Sequence, residues 1–211
     1  MSKKTYKDLA GDVKHYLNRN DEDTLSRIPT WIHLAQDTLD RILRHPAAET
    51  VIRFPVKVGA DIIPIPTNLL ELKNLRNSKT GEVLYRRSLE TLYLTPLHSK
   101  FPTGYSRKGV EYILNKPAEE EFEMEVIYYT APTKLSKPGD INLYTLQCYD
   151  MMMYYAIAEA FSYLQDPSQA QYFQQKAEAS YNMLMDSIRR EEFSGSTLVY
   201  FSDEAAMSQY F

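Results

Sequence analysis

The sequence predicts an α+β fold: a four-helix bundle with a small, mostly antiparallel β-sheet inserted between helices 2 and 3, plus an extended C-terminal tail. Three observations lead to this prediction. Apolar residues recur at three- and four-residue spacing near both ends of the chain, which is the period of amphipathic helices. In the middle of the chain they alternate, which is the period of strands. Short polar links separate the helical stretches, as they do between antiparallel neighbours in a bundle.

This pattern divides the 211 residues into four segments. We expect two helices of the bundle over residues 1–46, the β insertion over 47–139, two longer helices over 140–195 and an extended tail over 196–211. A chain of this length suits one domain with an insertion.

The first helix is predicted from one apolar face, formed by Tyr6, Leu9, Val13, Tyr16 and Leu17. The second helix is expected to have Ser26 as its N-cap and Pro29 in its first turn, where the missing N–H of proline costs nothing. Its apolar positions continue at helical spacing, and Pro46 is expected to end it.

The β insertion is predicted to begin with a strand in which Ile52, Phe54, Val56 and Val58 alternate with other residues. Pro55 within this run indicates an edge strand, because proline has no N–H to give to the ladder. Residues 62–65 are expected to pair back on this strand after a turn.

Further strand candidates occupy residues 69–75 and 82–87, on either side of a turn at 79–81. Ser88 can cap a short helical segment that follows them. Residues 101–104 are predicted to be loop.

Two clearer strands close the insertion. The first places Val110, Tyr112 and Leu114 on one face, and the second does the same with Phe122, Met124, Val126 and Tyr128. Glu121, Glu123 and Glu125 alternate on the opposite face of the second strand. A row of like charges usually marks a solvent-exposed face, so we expect these carboxylates to be solvated. The alternative is that these three carboxylates have a function, in which case they repel DNA from the wall of a channel.

The last third of the chain returns to helical spacing. The third helix is predicted from a wide apolar stripe comprising Leu146, Tyr149, Met153, Ala156, Ile157, Ala160, Phe161 and Leu164. Asp166 is expected to cap the fourth helix, with Pro167 at its first position. Its stripe comprises Ala170, Phe173, Ala177, Tyr181, Leu184 and Ile188.

A search for chemistry finds no catalytic, cofactor-binding or metal-binding pattern, so we expect a protein that is not an enzyme. The four histidines are too far apart for a helical metal pair, and the glycines form no phosphate-binding loop. Cys148 is the one cysteine, and within a helix it is expected to be a small buried apolar residue. No secretory signal or membrane-spanning stretch is visible, and the net charge of −4 argues against non-specific nucleic-acid binding.

Two features point to interaction surfaces. The chain has 17 tyrosines, a residue type enriched at interfaces, although half-burial within a small domain explains them equally well. The tail carries apolar residues where free termini are usually polar: Leu198, Val199, Tyr200, Phe201, Tyr210 and Phe211. Such a tail either folds back on its own domain or docks on a partner, so these six residues are the candidate partner-binding site.

Several local patterns, in this order, resemble the head-to-tail adaptor family of tailed bacteriophages, including its tail tubular protein A type. The opening helix at Tyr6–Leu17 is followed by Arg27-Ile28-Pro29-Thr30-Trp31-Ile32, which resembles the family's entrance to helix two. Pro64-Ile65-Pro66 with Glu71-Leu72, the Pro102-Thr103-Gly104-Tyr105 loop, Tyr128-Tyr129 before Asn142, and Ala156 to Leu164 continue the resemblance.

The resemblance implies a structural virion protein, made in the host cytoplasm and placed at the head–tail junction. Members assemble into a ring of about twelve copies beneath the portal. The implied partners are the portal protein, a tail or nozzle protein, further copies of the chain and double-stranded DNA passing through the lumen without sequence recognition, with no membrane and no cofactor. Three alternatives stay open: another neck or head-completion protein, a small hydrolase with an unrecognised site, and a cellular helical interaction domain.

Overall fold

A computed structural model describes residues 3–94 and 100–193, and these form a mixed α+β fold. The α-helices of this part of the chain are α1 (Tyr6–Leu17), α2 (Glu22–Ile42), α3 (Leu89–Leu92), α4 (Leu143–Gln147), α5 (Tyr149–Tyr163) and α6 (Pro167–Phe193). Its strands are β1 (Glu49–Val56), β2 (Ile62–Pro64), β3 (Leu69–Asn77), β4 (Tyr85–Arg86), β5 (Gly104–Lys108), β6 (Glu111–Leu114) and β7 (Phe122–Thr130). A 3-10 turn, Pro46–Ala48, follows α2.

None of the described helices is both long and apolar enough to span a bilayer. The helices α1, α2, α5 and α6 contribute to one hydrophobic core. The residues of that core with the least exposure include Leu9, Val13, Ile32, Ala35, Leu39, Met152, Ala156, Ile157 and Ala160. Most residues of the apolar stripes predicted for α1, α2 and α6 face this core. Three predicted stripe residues do not, since Tyr16 of α1 is 45% exposed, Leu34 of α2 41% and Ile42 of α2 39%.

The predicted start of α2 is wrong. The N-cap is Asp21, whose carboxylate accepts a hydrogen bond from the Thr24 N–H at 3.0 Å. Ser26 lies inside the helix, and its hydroxyl donates to the Asp23 carbonyl. Pro29 therefore lies in the helix interior, where it cannot donate to the carbonyl of Leu25. Because Pro29 is exposed, water can hydrate that carbonyl, and the helix continues.

The third predicted helix is two helices. The backbone breaks at Cys148, whose φ of −135° and ψ of 32° are not helical, so α4 and α5 have separate faces. As a result, Tyr144 and Thr145 are the buried residues of α4, and the predicted Leu146 is 47% exposed. The predicted start of the last helix is confirmed, since Asp166 accepts a hydrogen bond from the Gln169 N–H at 3.1 Å and Pro167 is the first helical residue.

The strands form two sheets, so the prediction of one sheet is wrong. The first has the order β1-β7-β3 and is antiparallel throughout. The second has the order β2-β6-β5-β4, with β4 parallel to β5. The sequence predicted that residues 62–65 pair back on β1. In the structure, residues 62–64 pair with β6 instead. The edge position predicted for Pro55 is confirmed, because β1 is an edge strand.

The strand β5 was not predicted, since residues 101–104 were expected to be loop and no strand was expected to begin there. Its Tyr105 packs edge-on against Tyr112 of β6, with ring centroids 5.3 Å apart. The inner faces of the two sheets enclose a second core that includes Leu75, Leu114, Met124 and Val126. The alternation predicted for β7 is therefore confirmed on its apolar side.

The strands are attached to the helices at two places. Where the chain leaves β7, the segment 131–142 lies along α2: His33 Nε2 is 2.7 Å from the Leu135 carbonyl oxygen, and the Gln36 amide donates to the carbonyls of Pro132 and Thr133. Where the chain leaves α2, Arg44 Nε lies 2.7 Å from a carboxylate oxygen of Glu71 in β3. These contacts fix the strand part of the chain relative to α2.

Candidate interaction surfaces

Glu125 lies in the middle of the first sheet, between two arginines. It is opposite Arg53 of β1 and Arg76 of β3 in the strand register. One carboxylate oxygen of Glu125 accepts from Arg53 Nε at 2.7 Å, and the other contacts the Arg76 guanidinium. The prediction that Glu121, Glu123 and Glu125 are all solvated is therefore wrong for Glu125, which is 2% exposed, and holds for the other two.

The two arginines also determine the protonation and the exposure of the Glu125 carboxylate. Hydrogen bonding from Arg53, with a further contribution from Arg76, lowers the pKa of Glu125. The carboxylate is covered by these two side chains on the outer side of the sheet, and both arginines stay partly exposed. Glu125 therefore links three strands and does not present a bare negative charge.

An exposed apolar patch lies on the β4–α3 segment, at the edge of the second sheet. It comprises Val83, Tyr85, Leu89, Tyr93 and Leu94, whose exposed fractions run from 40% for Leu89 to 80% for Leu94. Leu92, fully buried, anchors α3 beneath it. Exposed apolar side chains concentrated on one short segment are typical of interaction sites. Sequence reasoning missed the patch, because alternation alone does not show which strand lies at an edge.

A cleft of about 390 Å³ separates the first half of β3 from the second sheet. One wall is Leu69–Lys73, and the other carries Arg86, Arg107 and the ring pair of Tyr105 and Tyr112. Burial raises the pKa of both tyrosines, and the charge of Arg86 acts on each in the opposite direction. Like Arg86, Arg107 acts to lower the pKa of Tyr112 through its positive charge. The cleft therefore combines a strand edge with two cationic groups.

Several tyrosines hold the helices together. The Tyr149 hydroxyl donates to Asp12 of α1 at 2.5 Å, and the Tyr163 hydroxyl donates to Asp23 of α2 at 3.1 Å. Burial raises the pKa of Tyr149, and its hydrogen bond to Asp12 raises it further. Part of the tyrosine content is thus explained by contacts inside the subunit.

Cys148 is fully buried, which confirms the prediction of a small buried apolar residue. Burial raises the pKa of its thiol to about 12. At neutral pH the group is therefore a thiol and not a nucleophilic thiolate. Within residues 3–94 and 100–193, no three His, Cys, Asp or Glu side chains come together in a way that could hold a metal ion.

The candidate partner-binding residues Leu198, Val199, Tyr200, Phe201, Tyr210 and Phe211 lie outside the described residues. The structure therefore leaves their predicted role as a proposal.

Comparison with known proteins identifies the chain at the level of a family. No curated protein matches it. A family model described as SU10 adaptor protein matches residues 4–199, and this match takes in every helix and strand given above. The chain therefore belongs to the SU10 adaptor protein family, a family of structural phage adaptors.

Proposed function

We propose that this protein is a non-enzymatic head-to-tail adaptor, which forms a ring between the portal and the tail and lines part of the DNA ejection channel. Membership of a phage adaptor family is the observation that carries the proposal. The narrower likeness to the tail tubular protein A type belongs to the proposal, as does the place at the head–tail junction of the virion.

In this account the helices form the rigid body of each subunit. The helices of segments 1–46 and 140–195 act as a four-helix bundle, because α1, α2, α5 and α6 share one core. Segment 47–139 is inserted in that bundle and is held to α2 by the contacts of His33, Gln36 and Arg44. A subunit whose parts are fixed in this way can transmit load from portal to tail.

Neighbouring subunits contact each other through the apolar patch on the β4–α3 segment. A ring requires a heterologous contact, in which one patch meets a different surface on the next copy. A sheet edge with exposed tyrosine and leucine is well suited to this role, because aromatic residues are enriched at the centres of interfaces. The ring holds about twelve copies, as its family resemblance implies.

The ring meets the portal on one side and a tail or nozzle protein on the other. Residues 196–211 are the proposed partner-binding segment, with Leu198–Phe201, Tyr210 and Phe211 as its apolar anchors. Double-stranded DNA passes through the lumen without sequence recognition. A net charge of −4 per subunit supports passage of DNA rather than adhesion, because counterion release through clustered lysine and arginine drives non-specific DNA binding.

The test of this interface is a pair of charge insertions. We expect the double variant Leu89→Asp with Tyr93→Asp to stay a folded monomer that no longer forms a ring on the portal, because two carboxylates would be buried in an apolar contact. The matched control is Val110→Asp, since Val110 is 79% exposed and lies outside the patch. A ring formed by the double variant as readily as by the control would contradict the assignment of this patch to the subunit contact.

A further inference from the structure

We propose that the cleft between β3 and the second sheet is a docking site for one extended strand, and that residues 197–204 of the same chain occupy it. This inference goes beyond the proposed function, because it concerns the subunit before it meets the portal. Residues Leu198–Phe201 leave the cleft when the tail binds the portal.

The first reason is the edge that β3 presents. β3 is the last strand of its sheet within the described part of the chain, and β7 pairs with it on one side only. Its second half is covered on the other side, where the Leu84 N–H donates to the Leu75 carbonyl. Its first half, Leu69–Lys73, faces the cleft. Within the described residues, no strand pairs with Leu69–Leu72 on this side. Such an edge next to a cleft is suited to strand addition, in which main-chain hydrogen bonds supply affinity.

The second reason is charge. No described carboxylate oxygen lies within 4.0 Å of the guanidinium of Arg86 or Arg107, whereas Arg53 and Arg76 of the first sheet both bind Glu125. Arg107 Nε donates to the Gly109 carbonyl at 3.2 Å. Arg86 lies opposite Tyr105 in the strand register, and Arg107 is two residues further along β5 on the same face, so both side chains line the cleft. Two adjacent guanidinium groups suit an acidic segment, because arginine binds carboxylates with high geometric specificity.

The third reason is the sequence of the tail. Thr197-Leu198-Val199-Tyr200-Phe201 consists of β-branched, aromatic and aliphatic residues, the types that favour strands. Asp203 and Glu204 follow directly. This order supplies an apolar strand for the edge of β3 and two carboxylates for Arg86 and Arg107.

The fourth reason is position. The C-terminal half of α6 lies beside the end of α2, where the Tyr181 hydroxyl is 3.4 Å from the Ile42 carbonyl oxygen. Just after α2, Arg44 binds Glu71, which lines the cleft. From residue 193, an extended chain covers about 13 Å in four residues and reaches residue 197. The C-terminal half of α6 and the cleft-lining Glu71 therefore both contact the end of α2, which is why we assign the strand to the same chain.

Hydrogen exchange of the full chain tests this docking. Among Leu70–Lys73, we expect the amides that point away from β7 to be protected, and Val199→Pro to speed their exchange roughly tenfold, because proline removes a main-chain donor from the added strand. Ser208→Pro is the matched control, since it places a proline beyond the docked segment, and it should leave the exchange of Leu70–Lys73 unchanged. Equal exchange in the wild type and in Val199→Pro would overturn the proposal.

Reversing the charges on both sides tests whether the carboxylates of Asp203 and Glu204 pair with Arg86 and Arg107. Asp203→Arg with Glu204→Arg should raise the exchange of Leu70–Lys73, and adding Arg86→Glu with Arg107→Glu should restore protection. Protection that disappears on dilution would instead assign the strand to a second copy, and protection that appears only with portal present would assign the tail to the portal. Either result overturns docking within the subunit. None of these readouts depends on ring formation, so failure here and failure of the adaptor function are distinguishable.

Discussion

The phenolic oxygen of Tyr144 lies 2.7 Å from Oδ1 of Asp40, and this hydrogen bond joins α4 to α2. Tyr144 is 2% exposed. Burial, followed by the hydrogen bond and the charge of Asp40, raises the pKa of Tyr144. Burial also raises the pKa of Asp40, although the bond from Tyr144 acts against it. The tyrosine therefore stays protonated and donates to a carboxylate that has lost part of its hydration.

Removal of this hydroxyl should destabilise the fold. We expect Tyr144→Phe to lower the free energy of unfolding by about 1.5–3 kcal/mol, because it leaves a half-buried carboxylate without its donor. Tyr93→Phe is the control, since Tyr93 is 65% exposed, and it should change stability by less than about 0.5 kcal/mol. Urea titrations followed by circular dichroism measure both. Equal effects for the two variants would show that the Tyr144 bond contributes nothing.

The raised pKa values of Tyr144 and Tyr149 predict a loss of stability at high pH. In both cases the folded state holds its proton more tightly than the unfolded state does. Their contribution is therefore complete below the pKa of an unfolded tyrosine, about 10, and declines as pH rises above it. Unfolding free energy measured between pH 8 and 11 should fall above about pH 10, and it should fall less steeply in the Tyr144→Phe variant. A wild-type slope no steeper than that of the variant would contradict this assignment.

The pKa of Glu125 predicts the opposite dependence at low pH. It is lowered, first by the hydrogen bond from Arg53, so its stabilising contribution is present above the pKa of an unfolded glutamate and is lost as pH falls. We expect Glu125→Gln to lower the melting temperature at pH 7 and to flatten the loss of stability in acid. Glu123→Gln, on the exposed side of the same strand, is the control and should do neither.

Phe173 is the residue that attaches α6 to an aromatic cluster. Its ring contacts the rings of Tyr16, Tyr154 and Phe161, and it is 5% exposed. Phe173→Ala should cost about 3–5 kcal/mol in unfolding free energy, because it opens a cavity in the core. Met183 of the same helix is 71% exposed, so Met183→Ala should lower the unfolding free energy far less. Similar losses in thermal melts would mean that α6 is not held by this cluster.

Deletion of residues 196–211 should weaken binding to the portal while the rest of the chain still folds. The physical reason is the loss of the apolar anchors Leu198–Phe201, Tyr210 and Phe211. Binding to immobilised portal gives the affinity, and circular dichroism confirms folding. A shorter deletion of residues 209–211 separates the contribution of the last two anchors from that of Leu198–Phe201. A truncated protein that binds portal normally would show that the tail does not serve this role.

Local signals in the sequence predicted the local structure well. The predicted N-caps Asp166 and Ser88 each accept a hydrogen bond from a backbone N–H three residues later. Both partners of such a bond lie within one short stretch of sequence, so the local pattern is enough to predict it. Pro29 shows where such signals mislead. Proline is common in the first turn of a helix, yet the carboxylate of Asp21 begins α2 earlier, and the exposure of Pro29 makes its interior position tolerable.

Contacts that join distant parts of the chain could not be predicted in the same way. Glu125 is covered by arginines that lie 72 and 49 residues away in sequence, so alternation correctly gave its face but not its burial. The separation into two sheets has the same origin, since β2 pairs with β6 across the β insertion. The cleft and the apolar patch both depend on which strands lie at edges, which a single sequence does not contain.

The mass of the purified protein, measured alone and after addition of the cognate portal, tests the central claim most directly. We expect a monomer alone and a ring of about twelve copies bound to the portal, because an adaptor assembles on the structure that it joins. A protein that stays monomeric in the presence of the portal would contradict the adaptor function.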